Sequence, residues 1–235
     1  GGCHLQQRGG GALISAAAWA YGPALFGKMK GRLSPYALNL ARCFLGAALL
    51  SVFVIFSGRP DVSARSALFL ALSGISGIAL GDTFFFKGIF HMGPRLAVLM
   101  ETLCPALAVI LAVLFLGERP LPAVWLGIFL VISGVSWVMW EKSPRRALKD
   151  DWKKGVRYGL LSVFFSSISV IFTKIGVEAS DPAPSTVIRL LSGGLVLLVA
   201  AMVRRERFSG LSALREPGLL MRFLSAVFVG TCVGL

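Results

Sequence analysis

"ALFLALSGISGIALGDTFFFKGIF", residues 67–90, decides the fold. From Ala67 to Leu80 the stretch is apolar and uncharged. Continued through Gly81 to Phe90, it is long enough to cross a bilayer core of about 30 Å. Yet Asp82 and Lys87 stand inside it, with Phe84, Phe85 and Phe86 between them. A carboxylate and an ammonium at such a depth need partners or a water-filled cavity.

The rest of the chain repeats this pattern. It has 235 residues, 56% of them hydrophobic. Apolar runs of about 17–25 residues, the length of a membrane-spanning helix, recur along it. Eight are expected, at Gly11–Met29, Tyr36–Ser57, Ser66–Phe90, Pro94–Leu116, Ala123–Trp140, Val156–Val177, Val187–Val203 and Leu219–Leu235. Backbone amides in lipid must bond within their own segment or in a closed barrel. The runs are too long and unbroken for barrel strands. The expected class is therefore an all-α polytopic membrane protein.

The formal net charge is +13. In a soluble protein that would suggest nucleic acid. Here most Lys and Arg fall between spans, where they set topology and meet anionic headgroups, so the bilayer is the expected partner and nucleic acid is not. Cys3, Cys43, Cys104 and Cys232 are scattered, and the only histidines are His4 and His91. Neither a metal site nor a disulfide framework is expected, and no cofactor is implied.

Two halves resemble each other in order. "ALIS" at 12–15 parallels "GLLS" at 159–162, and "RCFLGAALL" from Arg42 parallels "RLLSGGLVLL" from Arg189. "SGISGIALG" at 73–81 parallels "AVFVGTCVG" at 226–234. The expected plan is a flexible start at 1–10, a five-span repeat at 11–142, a charged linker at 143–154 and a second repeat at 155–235. The second repeat would stop in its third span. An odd number of spans inverts the second copy, the plan of many secondary transporters. The linker could form an interfacial helix or a solvated connection.

Lys and Arg are lopsided between the two sides, 17 against 4. That bias alone puts the N-terminus outside.

Charges inside spans are the site candidates. Arg42, Asp82 and Glu101 are expected roughly 9–14 Å below one surface, at about 1.5 Å per residue. Lys87 is shallower and Lys28 is near the rim. Together they could line one cavity. Lys28, Lys87 and Arg42 could instead snorkel to the interface. Asp82 and Glu101 are too short to do so. In the second repeat Lys174 and Arg189 flank the connection between spans six and seven, which inversion puts on the opposite side, so the halves would offer charged vestibules to opposite faces. Gly74, Gly77 and Gly81 give a face for close helix packing. Pro105 could kink its span and free a carbonyl. Ser166, Ser167 and Ser169 could face a pore or bond to backbone. Trp125, Trp137 and Trp140 suit the interface or lipid.

These residues resemble a family. "ALISAAAWAYGPALFGK" (12–28) with "SPYALNLARCFLGAALL" (34–50) resembles the first two spans of EamA-type proteins of the drug/metabolite transporter superfamily. Residues 81–135 resemble spans three to five, most tellingly in Pro105 followed by Gly117-Glu118-Arg119. The resemblance implies ten helices in two inverted five-helix repeats, about eight being present here. It also implies a central cavity, and export or exchange of small metabolites from a bacterial cytoplasmic (inner) membrane. Lys28, Arg42 and Glu118 match recurrent family positions. Glu118 would cap span five or pair with Arg119. Glu101 is not a general family feature, which points to something specific to this chain. The family usually has a cytoplasmic N-terminus, against the charge count, so orientation stays open.

No G-x4-G-K-[ST] motif is present, so a gradient rather than a nucleotide would drive transport. A non-transporting assembly protein, its charges acting as interhelical glue, is the rival reading. An intramembrane enzyme would need Asp82 and Glu101 as a carboxylate dyad. A homodimer is compatible with all of these.

Overall fold

The computed structural model describes residues 23–27, 34–57, 62–142, 149–177, 182–204 and 217–228. Among the described residues there are helices and no strands. Residues 23–27 are helical. They are followed by α1 (Pro35–Ser57), α2 (Ala64–Met92), α3 (Pro94–Leu116), α4 (Pro122–Glu141), α5 (Lys149–Val177), α6 (Pro182–Arg204) and α7 (Pro217–Phe228). The helices α1 to α6 are long and apolar enough to cross a membrane. The chain is an all-α polytopic membrane protein. These helices are the second to seventh expected spans. Most of the first expected span and the end of the eighth lie outside the described residues.

Local chemistry sets the helix ends. Pro35, Pro94, Pro122, Pro182 and Pro217 each open a helix. Proline suits that place, because no intrahelical N–H bond is needed there and its φ is preset. Ser34 Oγ accepts from the Ala37 N–H at 3.1 Å, and Ser63 Oγ from the Ser66 N–H at 3.1 Å. Both are side-chain N-caps. Gly93 (φ 89°) joins α2 to α3, and Gly117 (φ 67°) ends α3. Residues with a Cβ rarely adopt either conformation.

The helix α5 has 29 residues, roughly 43 Å at 1.5 Å per residue. It exceeds the bilayer core, so its polar first turns extend beyond it. Asp150 and Asp151 lie in the first turn, where the helix dipole favours acids. The second half of the expected linker is thus continuous helix with the sixth expected span.

Two helices are irregular. In α2, Gly74–Asp82 is a π-helical segment between two α-helical ones, Ala64–Ser73 and Thr83–Met92. Side chains take up the carbonyls around it. Asn39 Nδ2 donates to Ile78 O at 2.7 Å, and Ser76 Oγ donates to Leu72 O at 2.9 Å. In α3, the helix breaks at Thr102, between Pro94–Glu101 and Leu103–Leu116. Pro105 is the cause, since its ring clashes with the carbonyl four residues back, that of Glu101, and cannot donate to it.

At the centre of the bundle, α2 packs on α1, α5 and α6. Glycines let it approach closely. A Cβ at Gly74 would run into the Arg189 carbonyl and Ser192 on α6, and one at Gly77 into Ser169 on α5. At Gly81 a Cβ would lie 2.9 Å from Ser166 Oγ. The expected packing face is therefore real, and it is shared between two neighbours. One apolar cluster gathers Phe26, Leu38, Phe85, Phe86, Ile89 and Phe223; another gathers Leu40, Cys43, Leu50, Ile78, Leu190 and Leu197. At the edge, α4 packs on α3 and leaves Phe129, Leu130, Trp137 and Trp140 exposed, an apolar face suited to lipid.

Candidate functional site

The site is a set of charged side chains inside this apolar bundle. Arg42 lies about two turns into α1, and Asp82 about three turns before the end of α2. They meet as an ion pair, Nη1 to Oδ2 at 2.9 Å, and each side chain keeps 23% of its surface accessible. The Arg42 guanidinium also lies 6.0 Å from the centre of the Phe86 ring. The π-helical segment ends at Asp82. Widening the helix there changes the direction in which Asp82 projects relative to the preceding turns. Asn39 holds that end in place, since its Nδ2 donates to both Ile78 O and Thr83 Oγ1, the latter at 3.0 Å.

Arg189, about two turns into α6, comes to the same place. Its charge interacts with both Asp82 and Arg42. Nη2 donates to Ser169 Oγ at 3.4 Å, a long bond. Ser169 belongs to a polar seam between α2 and α5. Its Oγ donates to Ser73 O at 2.9 Å, and Ser73 Oγ lies 2.6 Å from Thr173 Oγ1. Ser167 bonds to the carbonyls of Val163 and Cys104. Both serines thus use backbone acceptors.

Glu101 lies at the Pro105 break and accepts a hydrogen bond from Ser162 on α5. Its charge interacts with that of Asp82. The two carboxylates have different partners, Ser162 and Arg42, and no hydrogen bond between them occurs among the described residues. Arg42, Asp82, Glu101 and Arg189 therefore form one electrostatic cluster drawn from α1, α2, α3 and α6.

The other predicted residues lie elsewhere. Lys87 ends among aromatic rings. Its ammonium donates to the Tyr36 hydroxyl at 2.6 Å and sits 4.5 Å from that ring's centre, with Phe84 and Tyr158 each at 5.5 Å. This aromatic box satisfies a cation through ring quadrupoles. Lys174 pairs with Glu118. Glu118 thus bridges to α5, and no ion pair between it and Arg119 occurs among the described residues. Lys28 lies outside the described residues. Sequence reasoning missed Asn39, Tyr36, Tyr158, Ser73 and Ser162. Asn39 carried a usable signal, a lone amide three residues before Arg42 in an apolar run.

The EamA-like transporter family matches residues 10–140 and 153–235. A Bacillus subtilis (strain 168) protein named "Uncharacterized transporter YxxF" is 28% identical over 125 residues, 53% of this chain and 40% of that protein. A Clostridium kluyveri protein named "Uncharacterized transporter" is 29% identical over 126 residues, 52% of this chain and 40% of its own length. The matched part of the chain thus spans about two fifths of the length of these relatives. With the family matched over most of its residues, the chain belongs to the EamA-like transporter family.

Proposed function

We propose that this chain works as a secondary transporter of small metabolites, an exporter or exchanger, in a bacterial cytoplasmic membrane. Arg42, Asp82, Glu101 and Arg189 line the pathway. The observation that carries this reading is the Arg42–Asp82 ion pair, deep in an apolar bundle yet partly accessible. Intramembrane charges that keep access mark solute or ion routes. Successive spans alternate in direction, so Arg42 and Arg189 enter the cluster from opposite faces. That suits alternating access between two inverted repeats, 11–142 and 155–235. Glu101, held by a neutral serine and not by a cation, is the candidate proton carrier. A panel of solutes assayed for uptake and efflux in proteoliposomes tests this. Flux of some solute driven by a pH gradient, lost in Glu101→Gln, is expected; unchanged pH-driven flux in that variant removes the proton role.

The rival reading draws on the same ion pair and on the Ser73–Ser169–Thr173 seam, which join helices as structural bonds would. In a non-transporting assembly protein, no solute in the panel would move, and the loss of stability in Asp82→Asn would be that variant's sole effect.

A further inference from the structure

Most charges in the bundle are satisfied. Arg42 has Asp82, Lys174 has Glu118, Lys87 has its aromatic box, and Glu101 has Ser162. Arg189 differs. Its Nε is buried and has no hydrogen-bond partner among the described residues, and its Nη2 has only the 3.4 Å bond to Ser169. The one acid it interacts with, Asp82, is already bonded to Arg42. Glu101 does not relieve it. Glu101 is bonded at Ser162, and Arg189 is bonded at Ser169 on the same helix, about two turns or roughly 10 Å away. Around Arg189, two guanidinium groups thus interact with one carboxylate, which is bonded to Arg42, leaving a local surplus of one positive charge. A guanidinium left unpaired in such surroundings is costly.

We propose that the Arg189 guanidinium is the anion subsite of the pathway, and that it takes the carboxylate of a singly charged solute. Nε–H and one Nη2–H point in parallel from one edge of the group, the fork that matches two carboxylate oxygens. A monoanion cancels the local surplus, whereas a dianion exceeds it. Gly77 lets Ser169 pack close beside the guanidinium, since a Cβ there would overlap Ser169 and lie 3.9 Å from Arg189 Nη2. This assignment names the substrate class and rests on the transporter reading.

The test is ligand binding to the purified protein in nanodiscs, followed by thermal unfolding, with benzoate as the probe. Benzamide is the neutral isostere and phthalate the dianion. Benzoate should raise the unfolding midpoint in a saturable way, benzamide should leave it unmoved, and phthalate should act at least tenfold more weakly. Arg189→Gln should abolish the benzoate effect. Arg189→Lys, which keeps the charge and loses the fork, should weaken it at least tenfold. No effect of benzoate on the wild type, an equal effect of benzamide, or an undiminished effect in Arg189→Gln overturns the proposal. Failure of the two readings is separable. Benzoate binding that depends on Arg189, without flux of any solute, keeps the subsite and sinks the transporter. Flux of other solutes unaffected by Arg189→Gln does the reverse.

Discussion

Arg42 and Asp82 meet across the interface of α1 and α2 at 2.9 Å, and Arg189 on α6 is near enough for its charge to act on the same carboxylate. The three-way arrangement makes the two ends of the ion pair unequal. Removing Arg42 leaves Asp82 with a second guanidinium at hand. Removing the Asp82 charge leaves two guanidiniums that repel each other without the acid both interact with. Breaking a fully buried pair costs about 3–5 kcal/mol, and partial access lowers that here. Asp82→Asn should therefore destabilise by about 2–3 kcal/mol, and Arg42→Gln by about half as much. Thermal unfolding of the purified variants in nanodiscs checks the order. Equal losses would mean that Arg189 does not share Asp82.

The ion pair of Lys174 with Glu118 should behave differently. Both side chains are roughly half exposed, at 51% and 41%. Exposed pairs contribute about 0–1 kcal/mol. Glu118→Gln should change stability by less than about 1 kcal/mol, and its effect should shrink in high salt. A loss as large as that of Asp82→Asn would show that this pair holds α3 to α5.

The glycines of α2 give a graded series. At Gly74 the added methyl meets the Arg189 backbone carbonyl, which cannot rotate away. At Gly77 it meets the Ser169 side chain, which can, at the expense of the seam. Gly127 and Gly134 on α4 have nothing within 4 Å. Overpacking costs about 1–3 kcal/mol. Gly74→Ala should fall at or above the top of that range and Gly77→Ala within it. Gly127→Ala and Gly134→Ala should be neutral or slightly stabilising. Thermal midpoints of the four variants provide the comparison. A tolerated Gly74→Ala would argue against the close approach of α2 and α6.

The series also shows what could be read from residues alone. The spans, the glycine face and the burial of Asp82 and Glu101 follow from hydropathy, from small residues at helical spacing and from side chains too short to reach water. The π-helical turns do not, because they depend on Asn39 donating from another helix. Nor does the aromatic box, because Tyr36, Phe84 and Tyr158 come from α1, α2 and α5, and nothing in their spacing links them. Lys87 was open to a snorkelling reading for that reason. Arg189 could be aligned with Arg42 by repeat, but its convergence on Asp82 needed the packing of α6 against α2.

The aromatic box makes its own prediction. Lys87 has a cation–π environment and one short bond to the Tyr36 hydroxyl. Tyr36→Phe removes that bond and keeps the ring, and should cost about 1 kcal/mol. Lys87→Met keeps the stem and removes the charge. It should cost about 1–2 kcal/mol, the range of a desolvated cation–π contact with its hydrogen bond. Unfolding midpoints of the single and double variants measure the coupling. Full additivity would mean that the two groups do not act together.

Pro105 links backbone to chemistry most directly. It breaks α3 at Thr102, and Glu101 stands on the edge of that break, where it meets Ser162. Replacing the proline by alanine restores a donor for the Glu101 carbonyl and removes the ring clash. The helix can then run straight, which rotates Glu101 away from Ser162. Stability should rise or stay level, since an interior helical bond is gained. Under the transporter reading, flux driven by a pH gradient should fall at least tenfold, close to the loss in Glu101→Gln. The pairing of these two measurements is the check. A drop in stability together with lost flux would show a merely misfolded variant, and unchanged flux would show that the break does not position Glu101. A stable Pro105→Ala protein that no longer couples would assign the proline the task of aiming the acid.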